Sequence, residues 1–385
     1  MIFDQSGNLG INTLYAKQRL DVRGKINLQS DHRYDVSSNV YISNTSNPDP
    51  LDKGSFNTCL GGNIFSKNDF DSSSNVAIGY SSQRDLTNGF ENTSVGCFSL
   101  TNNSLGNFNV AIGNNSLENY RGDFSTSVGY YSQKNTTTGT ANTTLGYNTL
   151  KENINGSENV SIGFKSMETT TSDFNVAIGA YSLENSDTSC NVAIGHNSQN
   201  LSNIGYFNTS LGHETLKETT VGHNNVSIGY SSMRDKHGSR NVTTGSMSLQ
   251  LNNSGDDNTS IGYYSMYNTT GSKNVSIGSK SLPVSNTDDN ISVGFESQNK
   301  STDASGNTSL GTRSLKENVL GNHNVAIGYE SQKSYNGEPD SHNTSLGYKT
   351  LQINTSGKFN TAIGHESLAN LESTNYNTSV GCNSL

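Results

Sequence analysis

The sequence is poor in the residues that mark several common protein classes: it has no Trp, only 4 Pro and only 4 Cys. The Cys residues lie more than thirty positions apart, which fits neither a zinc site nor a disulfide framework. No apolar run approaches the length of a membrane-spanning helix, and no charged-then-apolar secretion signal follows Met1. The sequence therefore predicts a chain that does not insert into membranes.

Basic residues are also few, with 24 Lys and Arg against 33 Asp and Glu and a net charge of −9. They are scattered, whereas a nucleic-acid-binding surface needs clustered Lys and Arg, so no nucleic-acid partner is expected. Only 30% of the residues are hydrophobic, a composition that is typical of disorder. The regular spacing of the apolar residues argues against disorder and for a folded repeat.

One motif recurs from Asn57 onward: Asn, a β-branched residue, a small residue, an aliphatic residue, Gly, two variable residues, Ser or Thr, and Leu, Met or Gln. Consecutive motif glycines are 16 to 19 residues apart, mostly 16 or 17, which is too short for a unit with its own core. Each copy therefore predicts one coil of a solenoid. The motif glycines are at positions 61, 79, 96, 113, 129, 146, 163, 179, 195, 212, 229, 245, 262, 278, 294, 311, 328, 347, 364 and 381.

The columns of the repeat predict which side chains face inward. The β-branched and aliphatic residues, such as Val76 and Ile78, share one strand face because side chains alternate with period two. We expect that face to form the interior, completed by the residue equivalent to Leu100 from a second short strand. The Gly suits a corner with positive φ or a close backbone approach. Asn opens nineteen of the twenty copies, Ser125 being the exception, and predicts a stacked ladder of side chains.

The residue two places before each Gly is always Ala, Ser, Thr or Cys. In this assignment it points away from the interior, yet it is never long or charged, so another surface should approach it closely. An oligomer partner is favoured over a loop of the same chain folded across that face. The predicted subunit interface consists of Ala111, Ser127, Ala177, Ala193, Ser227 and Ala326.

These patterns define the fold class and the domains. We expect an all-β protein with a parallel β-solenoid (β-roll) of about twenty 16–17-residue coils over residues 56–385, forming a trimeric rod. At about 4.8 Å per coil the rod would be roughly 95 Å long. Residues 1–55 lack the repeat, and the Pro-, Asn-, Asp- and Gly-rich stretch 44–54 marks a boundary. Residues 1–55 are predicted to be a cap or attachment segment.

The repeats over 57–385, with copies such as NVAIGNNSL (109–117) and NTAIGHESL (360–368), resemble the head repeats of YadA-like trimeric autotransporter adhesins. Very similar repeats occur in the tail or surface fibres of phages and large viruses. The resemblance implies a parallel β-roll that associates as a homotrimer. The period of the adhesin heads is shorter than the period found here.

The N-terminal segment resembles the GNVGIGTTxPxxKLDVxG motif found near the start of the fibre region in viral fibre proteins. This resemblance favours a structural and adhesive fibre on the virion surface, which attaches to the host and contacts other virion proteins through its N-terminal segment. The alternatives are a fragment of a bacterial trimeric surface adhesin, located at the cell surface, and an ice-binding solenoid. The second Gly and the Pro of the motif are absent, and the matching residues are Gly7, Asn8, Gly10, Ile11, Thr13, Leu20, Asp21, Val22 and Gly24.

No catalytic pattern stands out, so an enzyme, a cofactor and a metal site are not expected. There is no G-x-S-x-G elbow, and the 8 His are scattered. His196, His213 and His365 share the position after Gly, but only the first two are in neighbouring copies. Paired carboxylates, which a glycosidase needs, are not evident.

The two residues after each Gly are often aromatic. Rings on the surface of a rod can stack on sugars, and Tyr hydroxyls can add hydrogen bonds, so these rings are candidate contacts for a host glycan or protein receptor. The favoured alternative is that rings on successive coils cover one another as a stabilising ladder. The candidates are Tyr80, Tyr130, Tyr131, Tyr147, Phe164, Tyr181, Tyr230, Tyr263, Tyr264, Tyr329 and Tyr348.

Overall fold

The computed structural model describes residues 56–66, 72–201, 205–219, 221–236 and 238–384, together with four short strands nearer the N-terminus. Within these residues the protein is all-β and contains no helix. The chain divides into two compact units, Met1–Ser38 and Asn39–Leu385.

The second unit is a parallel β-solenoid, as the repeat predicts. Each copy of the motif contributes one three-residue strand, which pairs in parallel and in register with the strands of the preceding and following copies. The register places equivalent residues opposite one another, so Ala77 lies opposite Ser94. The strands of this main sheet are Val40–Ile42, Thr58–Leu60, Val76–Ile78, Thr93–Val95, Val110–Ile112, Thr126–Val128, Thr143–Leu145, Val160–Ile162, Val176–Ile178, Val192–Ile194, Thr209–Leu211, Val226–Ile228, Val242–Thr244, Thr259–Ile261, Val275–Ile277, Ile291–Val293, Thr308–Leu310, Val325–Ile327, Thr344–Leu346, Thr361–Ile363 and Thr378–Val380.

The rest of each coil consists of turns, which also hydrogen-bond to the neighbouring coils. Most coils have four positions with positive φ; in one coil they are Glu91 (55°), Gly96 (141°), Phe98 (56°) and Leu100 (52°). A minor parallel sheet of two-residue strands forms where the turns of five coils are extended. Its strands are Glu218–Thr219, Asp235–Lys236, Leu251–Asn252, Asn268–Thr269 and Val284–Ser285.

The N-terminal unit contains a separate sheet of three strands. Ile2–Phe3 pairs antiparallel with Leu9–Ile11, which pairs in parallel with Leu20–Val22. Val40–Ile42 pairs in parallel with Thr58–Leu60, so the solenoid sheet extends into the predicted cap segment 1–55. The other residues of that segment lie outside the described residues, and its capping or attachment role stays a prediction.

The inward and outward columns of the main sheet are the reverse of the expected ones. Ile112 and Ile178 are 39% and 36% exposed, and Val76 and Ile78 likewise face outward, so their assignment to the interior is wrong. The small residues are the buried ones. The interface predicted at Ala111, Ser127, Ala177, Ala193, Ser227 and Ala326 is therefore wrong, because each of these residues is 0% exposed inside its own coil.

The narrowness of the coil explains this reversal. The Leu, Met or Gln four places after Gly does point inward, as predicted, and packs against the small residues of the strand. Close packing leaves room for only one layer of large side chains, so the strand side must be small. The large side chains form continuous stacks along the axis, one of which consists of Leu216, Met233, Leu249, Met266 and Leu282.

Hydroxyl groups fill the remaining interior. The Ser or Thr three places after Gly is buried and pairs with a small residue of the next coil; Ser116 Oγ donates to Ser127 Oγ at 2.9 Å. Ser265 Oγ donates to Ser276 Oγ at 2.7 Å in the same way. These bonds satisfy buried polar groups that would otherwise destabilise so thin a core.

The predicted Asn ladder is present, and its side chains bond to the backbone of neighbouring coils and, at several rungs, to one another, as in the bond from Asn92 Nδ2 to Asn75 Oδ1 at 3.1 Å. Asn75 Oδ1 accepts a hydrogen bond from the backbone N–H of Asn92 at 2.9 Å. Asn92 Nδ2 donates to the carbonyl oxygen of Gly106 in the loop of the following coil, at 2.8 Å. Each Asn thus ties its own coil to both neighbours, and this explains why the residue type is nearly constant.

Ser125 replaces the ladder Asn in one coil, and Tyr120 accounts for the replacement. The backbone N–H of Ser125 donates to Asn109 Oδ1 at 2.9 Å, and its Oγ accepts from the N–H of Asn142 at 3.3 Å, so the ladder continues through it. The Tyr120 side chain is fully buried, its hydroxyl donates to the carbonyl oxygen of Asp123 at 2.9 Å, and Ser125 Oγ lies 2.7 Å from that hydroxyl. Burial raises the pKa of Tyr120 well above its usual range. The ring occupies the space that a ladder Asn would need, so only a short side chain fits at position 125.

This pairing predicts a coupled response to mutation. Ser125→Asn should lower the free energy of unfolding by about 1–3 kcal/mol, because the longer side chain overpacks against Tyr120. Tyr120→Asn in the same chain should recover most of the loss, since Asn103 and Asn109 occupy the equivalent two positions one coil earlier. Chemical denaturation of the wild type, both single variants and the double variant gives the coupling energy. Additive effects would contradict the argument.

Candidate functional site on the outer surface of the coils

The outward side chains of the main sheet form a continuous, uncharged and largely apolar surface, which we name the aliphatic face. It consists of two columns: the β-branched residues three places before Gly, and the residues one place before Gly. Leu145 and Leu211 in the second column are among the exposed residues, and neither column carries a charge in any of the twenty copies. Two columns over roughly 95 Å give about 900 Å² of surface. Exposed apolar patches of this size mark interaction sites.

The two columns differ in polarity. The β-branched column has Thr in ten of the twenty copies and Val or Ile in the others. The second column is aliphatic in every copy except Thr244. The aliphatic face is therefore apolar along one edge and mixed along the other.

A second surface contains the predicted receptor contacts. The rings directly after Gly are exposed: Tyr80, Tyr130, Tyr147, Phe164, Tyr230, Tyr263, Tyr329 and Tyr348. The rings one place further along are half-buried: Tyr131, Tyr181 and Tyr264.

Rings on neighbouring coils stack on one another. Tyr130 and Tyr147 have ring centroids 5.6 Å apart with planes inclined by 5°, and Tyr147 continues onto Phe164 at 5.3 Å and 8°. Tyr329 and Tyr348 repeat the arrangement at 5.5 Å and 11°. The faces of these rings cover each other, so their edges are what remains for solvent. This geometry supports a stabilising ladder, and receptor binding by the rings stays a prediction.

The hydroxyl groups at the edges of the ladder also interact. A hydrogen bond with Tyr131 is the main cause that raises the pKa of Tyr130 above its usual value. Tyr130 and Tyr131 lie with their ring centroids 3.9 Å apart. The surface of this column therefore presents Tyr hydroxyls beside ring edges, which suits hydrogen bonding better than stacking on a flat ligand.

A third column, which we name the corner column, consists of the residue immediately before each motif Asn. Its residues have positive φ, as at Arg240 (57°) and Asp257 (58°). Arg240 Nε donates to Asp257 Oδ1 at 2.6 Å, and this bond is the main cause that lowers the pKa of Asp257. The next two members are Lys273 and Asp289, so charges alternate in sign over four coils.

Towards the C-terminal end the corner column becomes a stack of rings. His323 and His342 have centroids 4.9 Å apart with planes inclined by 11°. His342 stacks on Phe359 at 5.3 Å, and Phe359 stacks on Tyr376 at 5.1 Å. Two imidazoles thus lie face to face on adjacent coils at an exposed edge of the solenoid.

Asp340 lies beside these imidazoles. One ligand atom from each of His323, Asp340 and His342 lies within 4.8 Å of the other two, and all three residues are exposed. In the part of the chain that the structure describes, no other group of three His, Cys, Asp or Glu side chains converges in this way. The sequence pattern did not predict this group, because the His residues considered together were those in the column after Gly. The available signal was that His323 and His342 each directly precede a motif Asn.

Comparison with known proteins identifies no relative of this chain. No family model matches the sequence, and no curated protein and no solved structure matches it significantly. Among the described residues, no helix is long and apolar enough to cross a bilayer.

Proposed function

We propose that the protein is a structural and adhesive fibre on a virion surface, in which three parallel copies associate through the aliphatic face and mediate host attachment. The observation that carries this proposal is the aliphatic face itself, uncharged in every copy and repeated once per coil along the main sheet. A fibre of this kind would use the repeat to set its length and stiffness.

The geometry of the face favours other copies of the same chain as its partner. Its side chains recur at the inter-strand spacing of about 4.8 Å, and a second solenoid with the same repeat matches that spacing over its whole length. A receptor of another shape would cover only part of it. In a trimer each chain would divide this face between its two neighbours, and the total of about 900 Å² per chain is close to the roughly 800 Å² that one partner contributes to a standard stable interface.

The adhesive role rests on the remaining surfaces and on the N-terminal resemblance. With the aliphatic faces turned toward a common axis, the Tyr and Phe columns remain outside on all three chains. Three-fold repetition would raise the effective concentration of even weak receptor contacts. The segment that resembles viral fibre proteins would attach the fibre to other virion proteins.

One observation favours a second candidate, an ice-binding solenoid. Thr occupies ten of the twenty outward β-branched positions, one per coil along a parallel sheet. Ice binding requires this face to be open to water, whereas the trimer requires it to be covered. The oligomeric state therefore separates the two candidates.

The trimer is tested by the mass of the purified full chain in solution. Multi-angle light scattering after size-exclusion chromatography should give three times 41.2 kDa at micromolar concentration. A stable monomer would contradict the fibre assembly, and thermal hysteresis by that monomer would support ice binding. Mass spectrometry of purified virus particles tests the virion location. Detection in a cell-surface fraction instead would favour the bacterial adhesin.

A further inference from the structure

The group formed by His323, Asp340 and His342 has a donor set that neither the ring ladder nor the proposed fibre requires. Two imidazoles and one carboxylate are ligands typical of divalent first-row transition metals, and Zn²⁺ accepts this combination readily. Ca²⁺ and Mg²⁺ prefer oxygen ligands alone, so they fit the group poorly.

The fold explains how the three residues come together. His323 and His342 occupy the corner column on adjacent coils, so stacking alone places their rings side by side. The coil between Gly328 and Gly347 spans 19 residues, the longest in the repeat. Its added length lies in the loop that contains Asp340, which brings a carboxylate next to the two imidazoles.

The backbone around the group is held by coil-to-coil hydrogen bonds. The N–H of His323 donates to the carbonyl oxygen of Ser305 at 3.1 Å, and the N–H of His342 donates to that of Asn322 at 3.3 Å. Ser341 Oγ donates to the same Asn322 oxygen at 2.8 Å and thereby fixes the residue between the two ligands of the long coil. With the backbone held in this way, rotation of the three side chains is enough to bring their ligand atoms together around one ion.

Space for the His323 ring comes from the preceding member of the corner column. That residue is Gly306, and a Cβ atom there would lie 2.8 Å from His323 Cδ2. The His323 ring therefore lies in the space that a side chain at position 306 would occupy, with the His342 ring on its other side. The three ligand atoms must come closer together before each can form a bond of about 2.0–2.2 Å to a common ion. Their side chains are exposed and can rotate to do so.

We propose that His323, Asp340 and His342 form a site for a divalent transition-metal ion of the Zn²⁺ class. The ion is bound by one nitrogen from each imidazole and one carboxylate oxygen, and it links two successive coils. Three protein ligands leave one tetrahedral position open to solvent, where a donor atom of another molecule can bind. This site is independent of the proposed trimer, because it uses the corner column and not the aliphatic face.

The alternative is that the stacked rings form a ladder that binds no metal ion. The chain contains an internal control for this alternative. His196 and His213 are also on adjacent coils and stack at 5.0 Å with planes inclined by 22°. They have no carboxylate placed to complete a group of three among the described residues. A stacked pair of imidazoles without the third ligand should bind the ion much more weakly.

The experiment uses the tag-free full chain, dialysed against a chelator and titrated with ZnCl₂ by calorimetry in the presence of a competing chelator. Wild type and the His196→Ala/His213→Ala control should each bind one ion per chain. His323→Ala should abolish this binding, and Asp340→Asn, which preserves size, should weaken it at least about tenfold, as loss of a metal partner does. Titration with Co²⁺ should give the visible spectrum of a tetrahedral site in wild type and control only.

Folding is checked independently of binding. Unchanged circular dichroism spectra and unchanged solution mass show that His323→Ala and Asp340→Asn retain the solenoid. Absence of saturable Zn²⁺ binding by wild type would overturn the proposal. Equal affinities of wild type, His323→Ala and Asp340→Asn would overturn it as well, because the bound ion would then lie elsewhere. A monomeric wild type that binds Zn²⁺ would contradict the fibre while leaving this site intact.

Discussion

Replacing Ala193 with Asp should abolish folding of the surrounding coils, whereas Asp at the adjacent Ile194 should leave the chain folded. Ala193 is 0% exposed and packs with Ala177 and Leu183 inside the coil. A carboxylate there would be larger than the space and would have no partner, and we expect a loss of more than about 4 kcal/mol. Ile194 is on the aliphatic face, where Asp reaches solvent in a single chain.

Measurements at low temperature distinguish the two variants. Far-ultraviolet circular dichroism should show loss of β-structure for Ala193→Asp and a native spectrum for Ile194→Asp. If the proposed trimer forms, light scattering should show that adding Asp at Ile178 and Ile228 to the second variant converts it into folded monomers. A native spectrum for Ala193→Asp, or an intact trimer with three Asp residues on the aliphatic face, would refute the respective assignment.

Gly212→Ala should break the stack of coils at one defined place. Gly212 has φ of +137°, a conformation that L-residues rarely adopt, and an added Cβ would lie within contact distance of the carbonyl oxygen of Gly229 on the next coil. Backbone strain lowers the free energy of unfolding by about 1–3 kcal/mol. The clash lowers it further, because it pushes apart two hydrogen-bonded coils. We expect a total loss of more than about 3 kcal/mol and cleavage by proteases in the loops on both sides.

Gly381 provides the matched control for this substitution. Its φ is +144°, but the nearest atoms to an added Cβ belong to Ser384, at 3.6 Å. Gly381→Ala therefore has the same conformational strain without the clash. Denaturant unfolding and limited proteolysis of both variants should show a much larger effect for Gly212→Ala. Equal effects would mean that conformation alone, and not coil packing, makes Gly necessary.

The sequence predicted the fold well because every coil repeats the same constraints. The column of β-branched residues located the strands, the spacing of the glycines located the coils, and the Asn column indicated the ladder. Period-two alternation showed that the side chains of Val76 and Ile78 share one face of the strand and that Ala77 is on the opposite face. Alternation does not indicate which of the two faces is buried. The usual rule that large apolar residues are buried fails where a coil holds only one layer of them.

The outer surfaces were predictable to different degrees. The aromatic ladder could be expected because rings in one column must lie over one another in a solenoid. The proposed metal site could not be expected, since it depends on the length of one loop and on where that loop returns. Asp340 has no fixed position in the repeat, and only the folded coil places it beside His323.

The buried Asn ladder also bears on chemical modification. Asn92-Thr93-Ser94 is an N-glycosylation sequence, and many other copies of the motif have the same form. Transfer of a glycan requires a free side-chain amide. Asn92 is fully buried, and its Nδ2 donates a hydrogen bond to the carbonyl oxygen of Gly106. Glycosylation at a ladder Asn and closure of its coil therefore exclude each other. A glycosylating enzyme could act at these positions only before the chain folds, and a coil modified there could no longer join the stack.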